Sequence, residues 1–410
     1  MASSNIHEPV RVTEDTEPYY KYTGPFKSGM AIANHYGFRP IAPLEPDEKI
    51  KRIFQEKTKK EKRERTDKAG EWYIDAADKL AEVDAYFNEM DGWEQPVMAA
   101  HTLHPRRKTG KVRMTIFGST KSIAEGLILK ATLSILEEMG HTDMCVDLNS
   151  LGTQESRNQF LEDFIAHYRD NLNDLGDCCQ TQFKHDPLKV IMCDNDTCLE
   201  IQDDAPQPIT YLTDETREHF KECIEYVETF GLPYRINHQL LGSSHNDSHT
   251  LFQIYTSGED DDGDRNILAR GERHEHMPKQ LGYNRCLPTI SVSIDMPGQQ
   301  YESYTEVESE SVQNPKLYYL HLGKEAKRES LPVLEQLREA GILVIHSLSY
   351  DGLSPQMQQA KDMNIPYALI MGLKEVQEGS IILRDMFTRA QETIPQDRVA
   401  TRVKKVVKEE

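Results

Sequence analysis

Apolar and polar positions alternate most regularly between Lys316 and Gly372. Short runs rich in Tyr, Ile, Val and Leu (Leu317–Leu322, Ile342–Ile345 and Tyr367–Met371) predict strands, and the stretches between them predict helices. Over Glu325–Ala340 the apolar residues Leu331, Leu334 and Leu337 recur at helical spacing, and Gly341 ends the run as a C-terminal signal. A second helix, about Pro355–Met363, leads into the third strand. A strand pair near Ser380–Met386 and Gln391–Ile394 then precedes a basic helix near Val399–Val407. Strand–helix–strand–helix–strand of this size predicts a small α/β domain with a mostly parallel sheet.

Upstream, Met30–Pro46 predicts a helix end and then a strand, with Gly37 at the break. Ser122–Met139 predicts a helix with a continuous apolar face, ended by Gly140. A chain of 410 residues exceeds one ordinary hydrophobic core, so two or three domains are expected. The first 25 or so residues are polar and are expected to be mobile. They carry no apolar signal core, and no apolar run reaches the roughly 18 residues of a membrane span, so a soluble, cytoplasmic protein is expected. Seven cysteines, an odd number, argue against a disulfide framework. The net charge of −20 opposes non-specific binding to nucleic acid, but it is uneven. From residue 315 onward 14 Lys/Arg face 13 Asp/Glu, leaving 34 against 55 before it. The dense basic stretch Lys49–Trp72 is either a solvated helix or loop, or an RNA-facing loop.

The C-terminal hundred residues resemble the anticodon-binding domain of histidyl-tRNA synthetases and their class II relatives. The likeness rests on the Leu-Gly after the first strand, the helix ending EAGI, the strand PYALIMG, and EGSIILRDMFTRAQETIP. The last resembles a hairpin whose first strand ends in Arg/Lys-Asp. Ala42-Pro43-Leu44-Glu45 resembles the end of class II motif 1, which implies a homodimer. Phe117-Gly118, Ala124-Glu125 and Asn149-Ser150-Leu151-Gly152 match the segment after motif 2. Asp186-Pro187-Leu188-Lys189, Asp204-Ala205-Pro206 and Glu215–Phe220 follow in the family's order. The resemblance implies that Glu125 shapes the amino-acid pocket; read from the residues alone, it is equally a helix surface charge.

The likeness breaks where catalysis is expected. Leu240–Gln253 replaces the family's Leu-Val-Arg-Gly-Leu-Asp-Tyr-Tyr segment, so the phosphate-stabilising arginine falls on Gly242 and the aspartate on His245. The two tyrosines fall on Asn246 and Asp247. An activated phosphate loses a cation worth several kcal/mol. The Gly-Gly-Arg turn reads Gly271-Glu272-Arg273, and a side chain at Glu272 is expected to block close backbone approach. Motif 3 is not recognisable in TISVSIDMPGQQ. Motif 2 has only the basic stretch His101–Arg113 as a counterpart, where Arg106, Arg107, Lys108 and Arg113 are either phosphate- or RNA-binding residues or an exposed basic turn.

The expected fold is therefore an α+β class II synthetase-like domain, an antiparallel sheet flanked by helices, over residues 26–312. It follows the mobile segment 1–25 and precedes an anticodon-binding-like α/β domain over 313–410. The candidate pocket is Glu125, His245, Asp247, Arg273 and Glu275, with Glu125 and Arg273 as catalytic candidates. Cys178, Cys179, Cys193 and Cys198 are either buried thiols or a zinc cluster with irregular spacing. His274, Glu275 and His276 with His245 and His249 invite a metal reading. The spacing of His245 and His249 would need a helix, where the alignment places strand or loop, so no metal is assigned. The resemblance implies tRNA as partner, and ATP and Mg2+ as cofactors if the chain is active. The expected function is a catalytically impaired synthetase-like dimer that binds tRNA or a protein. The alternatives are an active histidine–tRNA ligase with a rebuilt site, and a regulatory or scaffold subunit.

Overall fold

The structure is a computed structural model describing residues 22, 24–44, 46–53, 77–93, 95–103, 110–185, 187–193, 195–241, 247–259, 265–297, 315–348 and 350–408. The N-terminal segment 1–21, most of the basic stretch (54–72) and the boundary near 313 lie outside these residues.

The first unit opens with α1 (Gly24–His35), turns at Gly37 in the left-handed region (φ 92), and enters β1 (Arg39–Pro40) as expected. Two helical pieces follow, α2 (48–53) and α3 (77–85), the latter running into a π-helical turn at Tyr86–Met90. Next come β2 (Val97–Leu103), β3 (Gly110–Phe117), α4 (Ile123–Glu138) and β4 (Met144–Ser150). A helical insert holds α5 (Gln154–Asp170), α6 (Asp177–His185) and α7 (Asp196–Asp203). The unit closes with α8 (Asp214–Thr229), β5 (Tyr234–Ile236), β6 (Asp247–Glu259), β7 (Arg265–His274) and β8 (Thr289–Met296). The eight strands form one sheet in the order β1-β2-β3-β8-β7-β6-β4-β5. All pairings are antiparallel except β1 with β2 and β4 with β5, so the expected antiparallel sheet carries a parallel pair at each edge.

Strand residues alternate between the faces, and directly paired residues share one. Val112, Met114 and Ile116 of β3 share a face with Ile290, Val292 and Ile294 of β8, and this face meets α1, α4 and α8 in the main core. Helix α4 is apolar on nearly every side, so it lies inside, between the sheet and the outer helices. The other face is polar: His101, Arg113, Thr115, Glu272, Ser291 and Ser293 stand in cross-strand register. It is covered by α3, whose residues 78–83 are all buried.

The second unit holds β9 (Leu317–His321), α9 (Gly323–Glu339), β10 (Val344–His346), α10 (Leu353–Asp362), β11 (Tyr367–Met371), α11 (Leu373–Glu378), β12 (Ser380–Asp385), β13 (Gln391–Pro395) and α12 (Val399–Lys408). Its sheet order is β10-β9-β11-β12-β13. The first three strands are parallel; β12 and β13 return antiparallel, so the sheet is mixed rather than mostly parallel.

The units are joined where α9 packs on α4 and α8. The Glu335 carboxylate accepts from the hydroxyls of Tyr36 and Ser134 (2.8 Å for the latter) and pairs with Arg338 at 2.8 Å. His35 reaches the Leu334 carbonyl at 3.2 Å, and His346 returns to the Tyr36 carbonyl at 3.2 Å. Burial raises the Glu335 pKa, but Arg338 and Tyr36 outweigh it and hold it down at about 2. The folded value lies below the unfolded one, near 4.3, so the stabilisation is complete above about pH 4.3 and is lost as pH falls toward 2. Glu335→Gln is expected to cost about 1.5–3 kcal/mol at pH 7. Thermal melts of both proteins across the acid range should find the gap closing as pH drops.

Candidate functional site

Arg273 and His274 are consecutive in β7 and so point to opposite faces of the sheet. Each enters a buried charged cluster.

On the helical side, Glu125 sits in the first turn of α4, where the helix dipole favours a carboxylate. It is fully buried, and Arg273 is 3% exposed. Arg273 closes on it with two parallel bonds, Nε to Oε1 and Nη2 to Oε2, both 2.6 Å, while Nη1 donates to the Ser119 carbonyl at 2.6 Å. From α8, His219 Nε2 donates to Glu125 Oε1 at 2.9 Å. Burial alone would raise the Glu125 pKa; Arg273 and then His219 reverse that and hold the carboxyl far below its usual range. Cys223, one turn after His219 on α8, packs against Thr250 at 3.6 Å, and burial followed by the Glu125 charge keeps it a thiol. The ligand atoms of Glu125, His219 and Cys223 lie within 4.8 Å of one another, but a guanidinium already occupies both carboxylate oxygens and the thiol resists ionisation. This cluster is an ion-pair lock rather than a metal centre. His249, at φ 63, lies beside His219 with ring centroids 6.0 Å apart; burial, then Arg273, pushes its pKa down to about 4, so it is neutral at pH 7.

On the opposite face, Lys79 and Glu82 are three residues apart on α3 and both reach the sheet. Lys79 pairs with Glu272. Glu82 lies 2.8 Å from Arg113 Nε, an ion pair not aligned as a hydrogen bond, and 2.7 Å from His101 Nε2; it also accepts from Thr115 at 3.1 Å. The other Arg113 nitrogens donate to Ser293 at 2.8 Å and Ser291 at 3.0 Å. Burial works to raise the Glu82 pKa; the guanidinium of Arg113, with His101 behind it, leaves it lowered.

Of the expected pocket residues whose side chains the structure describes, Glu125 and Arg273 come together, closed on each other. Glu125 is thus not a surface charge. Glu275 is half-buried and pairs with its neighbour His276 at 3.1 Å. Asp247 begins β6 opposite His274. His245, Arg106, Arg107 and Lys108 lie outside the described residues. Arg113 belongs to no exposed turn: at 1% exposure it is a buried structural cation. Glu272 does not block a backbone approach either, since it faces Lys79. Gly271 is the constrained position, because a Cβ there would come 2.1 Å from the Phe252 ring. The sequence reading missed Lys79 and Glu82. Their signal was the spacing of Leu80, Val83, Phe87 and Met90, an apolar stripe at helical intervals.

In the C-terminal unit, Asp385 accepts from the backbone N–H groups of Phe387 and Thr388, both at 2.8 Å, which builds the tip of the β12–β13 hairpin. The Phe387 ring is 73% exposed there, between Arg384 and Arg389. Helix α12 buries Val399 and Val403 and exposes Lys404 and Lys405.

A family model for the anticodon binding domain matches residues 316–406. The chain is 28% identical over 295 residues to the histidine–tRNA ligase of Maridesulfovibrio salexigens, spanning 71% of this chain and 69% of that one. It is 26% identical over 377 residues to the histidine–tRNA ligase of Desulfosudis oleivorans, spanning 88% of each. Among solved structures, apo histidyl-tRNA synthetase of S. aureus covers 92% of this chain at 19% identity, with 94% of that chain matched and a TM-score of 0.48. The C-terminal match and the sequence relatives agree: residues 316–406 form an anticodon binding domain, and the chain is similar through both units to histidine–tRNA ligases.

Proposed function

We propose that this protein is a synthetase relative that binds tRNA through its C-terminal domain, as a homodimer, and does not activate histidine. One observation carries the loss of activation: among the described residues, the buried cations Lys79, Arg113 and Arg273 at the sheet are each closed on a buried carboxylate. An ATP triphosphate with Mg2+ needs cations facing it, and releasing any of these would strand a buried carboxylate at a cost of about 3–5 kcal/mol. Among the described residues, these three buried cations are therefore not open to ATP, and no catalytic step is routed through it. Glu125 is equally committed, with both oxygens held by Arg273 and one by His219, so an amino group has no open carboxylate to meet there.

The RNA half rests on the anticodon-type domain and the tRNA named in its relatives' activity. An exposed aromatic between two arginines is the composition that stacks an unpaired base and holds its phosphate. With a body at net negative charge, attraction must come from such local cations and be strongly salt-dependent.

Histidine-dependent exchange of pyrophosphate into ATP should be undetectable beside a normal synthetase. Exchange at a comparable rate overturns the proposal in favour of an active ligase. In filter binding at low salt, tRNA should be retained, and Phe387→Ala with Arg389→Ala should weaken it by about tenfold, roughly the loss of one stacked base. Unaltered affinity removes the hairpin tip from the interface; no binding at all by the parent protein leaves the scaffold reading. Light scattering at twice the chain mass checks the dimer.

A further inference from the structure

The helical insert has its own small core, separate from the sheet: Phe160, Phe164, Tyr168, Phe183 and Val190 pack around Cys179 and Cys198. Its helices α6 and α7 are short and joined by a 3-10 turn over Pro187–Met192, and pieces of this length are marginal without further support. Cys179 comes from α6, Cys193 follows the 3-10 turn, and Cys198 lies in the first turns of α7. The turn folds the chain back, so residues irregularly spaced in sequence converge. All three sulfurs lie within 4.8 Å of one another, and none is in a disulfide.

We propose that Cys179, Cys193 and Cys198 form a structural site for a thiophilic divalent metal, zinc by preference. Three thiolates at about 2.3 Å from one zinc stand roughly 3.8 Å apart in a tetrahedron, within the spread seen here, and a fourth ligand completes it. Cys193 and Cys198 have the C-x4-C spacing common in such sites.

Two further groups point at the cluster. The backbone N–H of Gly176 donates to Cys198 Sγ at 3.4 Å, the kind of bond that supports a metal-bound thiolate. Tyr168 is fully buried and its hydroxyl has no hydrogen-bond partner, although it packs beside the cysteines. A thiol is a poor acceptor for that O–H; a metal-bound thiolate is a good one. The start of α7 adds a favourable dipole for a negative sulfur at Cys198. Binding releases the three S–H protons to solvent and ties α6 to α7, so metal affinity becomes stability of the insert.

The test uses the full-length protein produced with zinc and kept reduced. Metal analysis should find close to one zinc per chain, retained in Cys286→Ser, whose thiol is exposed, and lost in Cys193→Ser and Cys198→Ser. To separate loss of the site from misfolding of those variants, Co2+ is also added to chelator-treated parent protein. A thiolate-to-cobalt charge-transfer band and the visible bands of tetrahedral cobalt are expected, together with a higher Tm on adding zinc. A zinc-free protein after supplementation, a missing charge-transfer band, or zinc still bound in the triple Cys179/Cys193/Cys198→Ser variant overturns the site and leaves buried thiols only.

Discussion

The rest of the first unit depends on a sheet that is buried on both faces. One face is apolar and meets helices in the ordinary way. The other carries Arg113, Glu272 and His101 and would commonly face water or a ligand. Here α3 lies across it, so every charge needs an internal partner or must bear a desolvation penalty of several kcal/mol. The helix supplies the complement, a cation for Glu272 and an anion for Arg113, from positions three apart. Neither side is viable alone. Stripping Lys79 and Glu82 from α3 would leave opposite charges on the sheet uncompensated, and an apolar sheet face would strand the helix's own.

The alternation of β7 links this cluster to the second one. Because Arg273 points toward α4 and His274 toward α3, one strand positions both clusters. A shift of one residue in its register would exchange the two side chains between faces, placing a guanidinium against Glu82's partners and leaving Glu125 without a cation. Register is also restrained at Gly271, where the Phe252 ring occupies the space of a side chain. The packing and the electrostatics thus enforce the same alignment.

What could be read from the sequence divides along locality. The C-terminal unit is legible in every strand and in all helices but the short α11, because each element carries its own local period, with Gly341 and the Asp385 turn as clear stops. So is α4, though its burial on all sides was read as a single apolar face. Glu125 could not be resolved between pocket and surface because its partners, Arg273 and His219, lie on distant elements. Lys79 and Glu82 were missed for the same reason: on a helical stripe they look like solvent-facing charges, and only the sheet beneath makes them buried. The cysteines had the opposite difficulty. Their intervals discouraged a cluster until the 3-10 turn brought them together.

Helix α4 joins these features into one body. Its first turn is fixed to β7 by Glu125, and near its other end Ser134 donates to Glu335 of α9. A helix held at both ends leaves the C-terminal unit little rotational freedom about the sheet. The acidic carboxylate at that junction is saturated by Tyr36, Ser134 and Arg338, and α8 adds ion pairs from Glu222 and Glu225 to Lys324 and Arg328 of α9. These outer pairs are partly solvated and contribute little each. The half-buried Glu335 group and the apolar contact of α9 with α4 dominate. The hairpin tip at Phe387 is therefore presented in a set orientation, so RNA bound there, as proposed, would meet a preorganised surface with correspondingly less ordering entropy to offset.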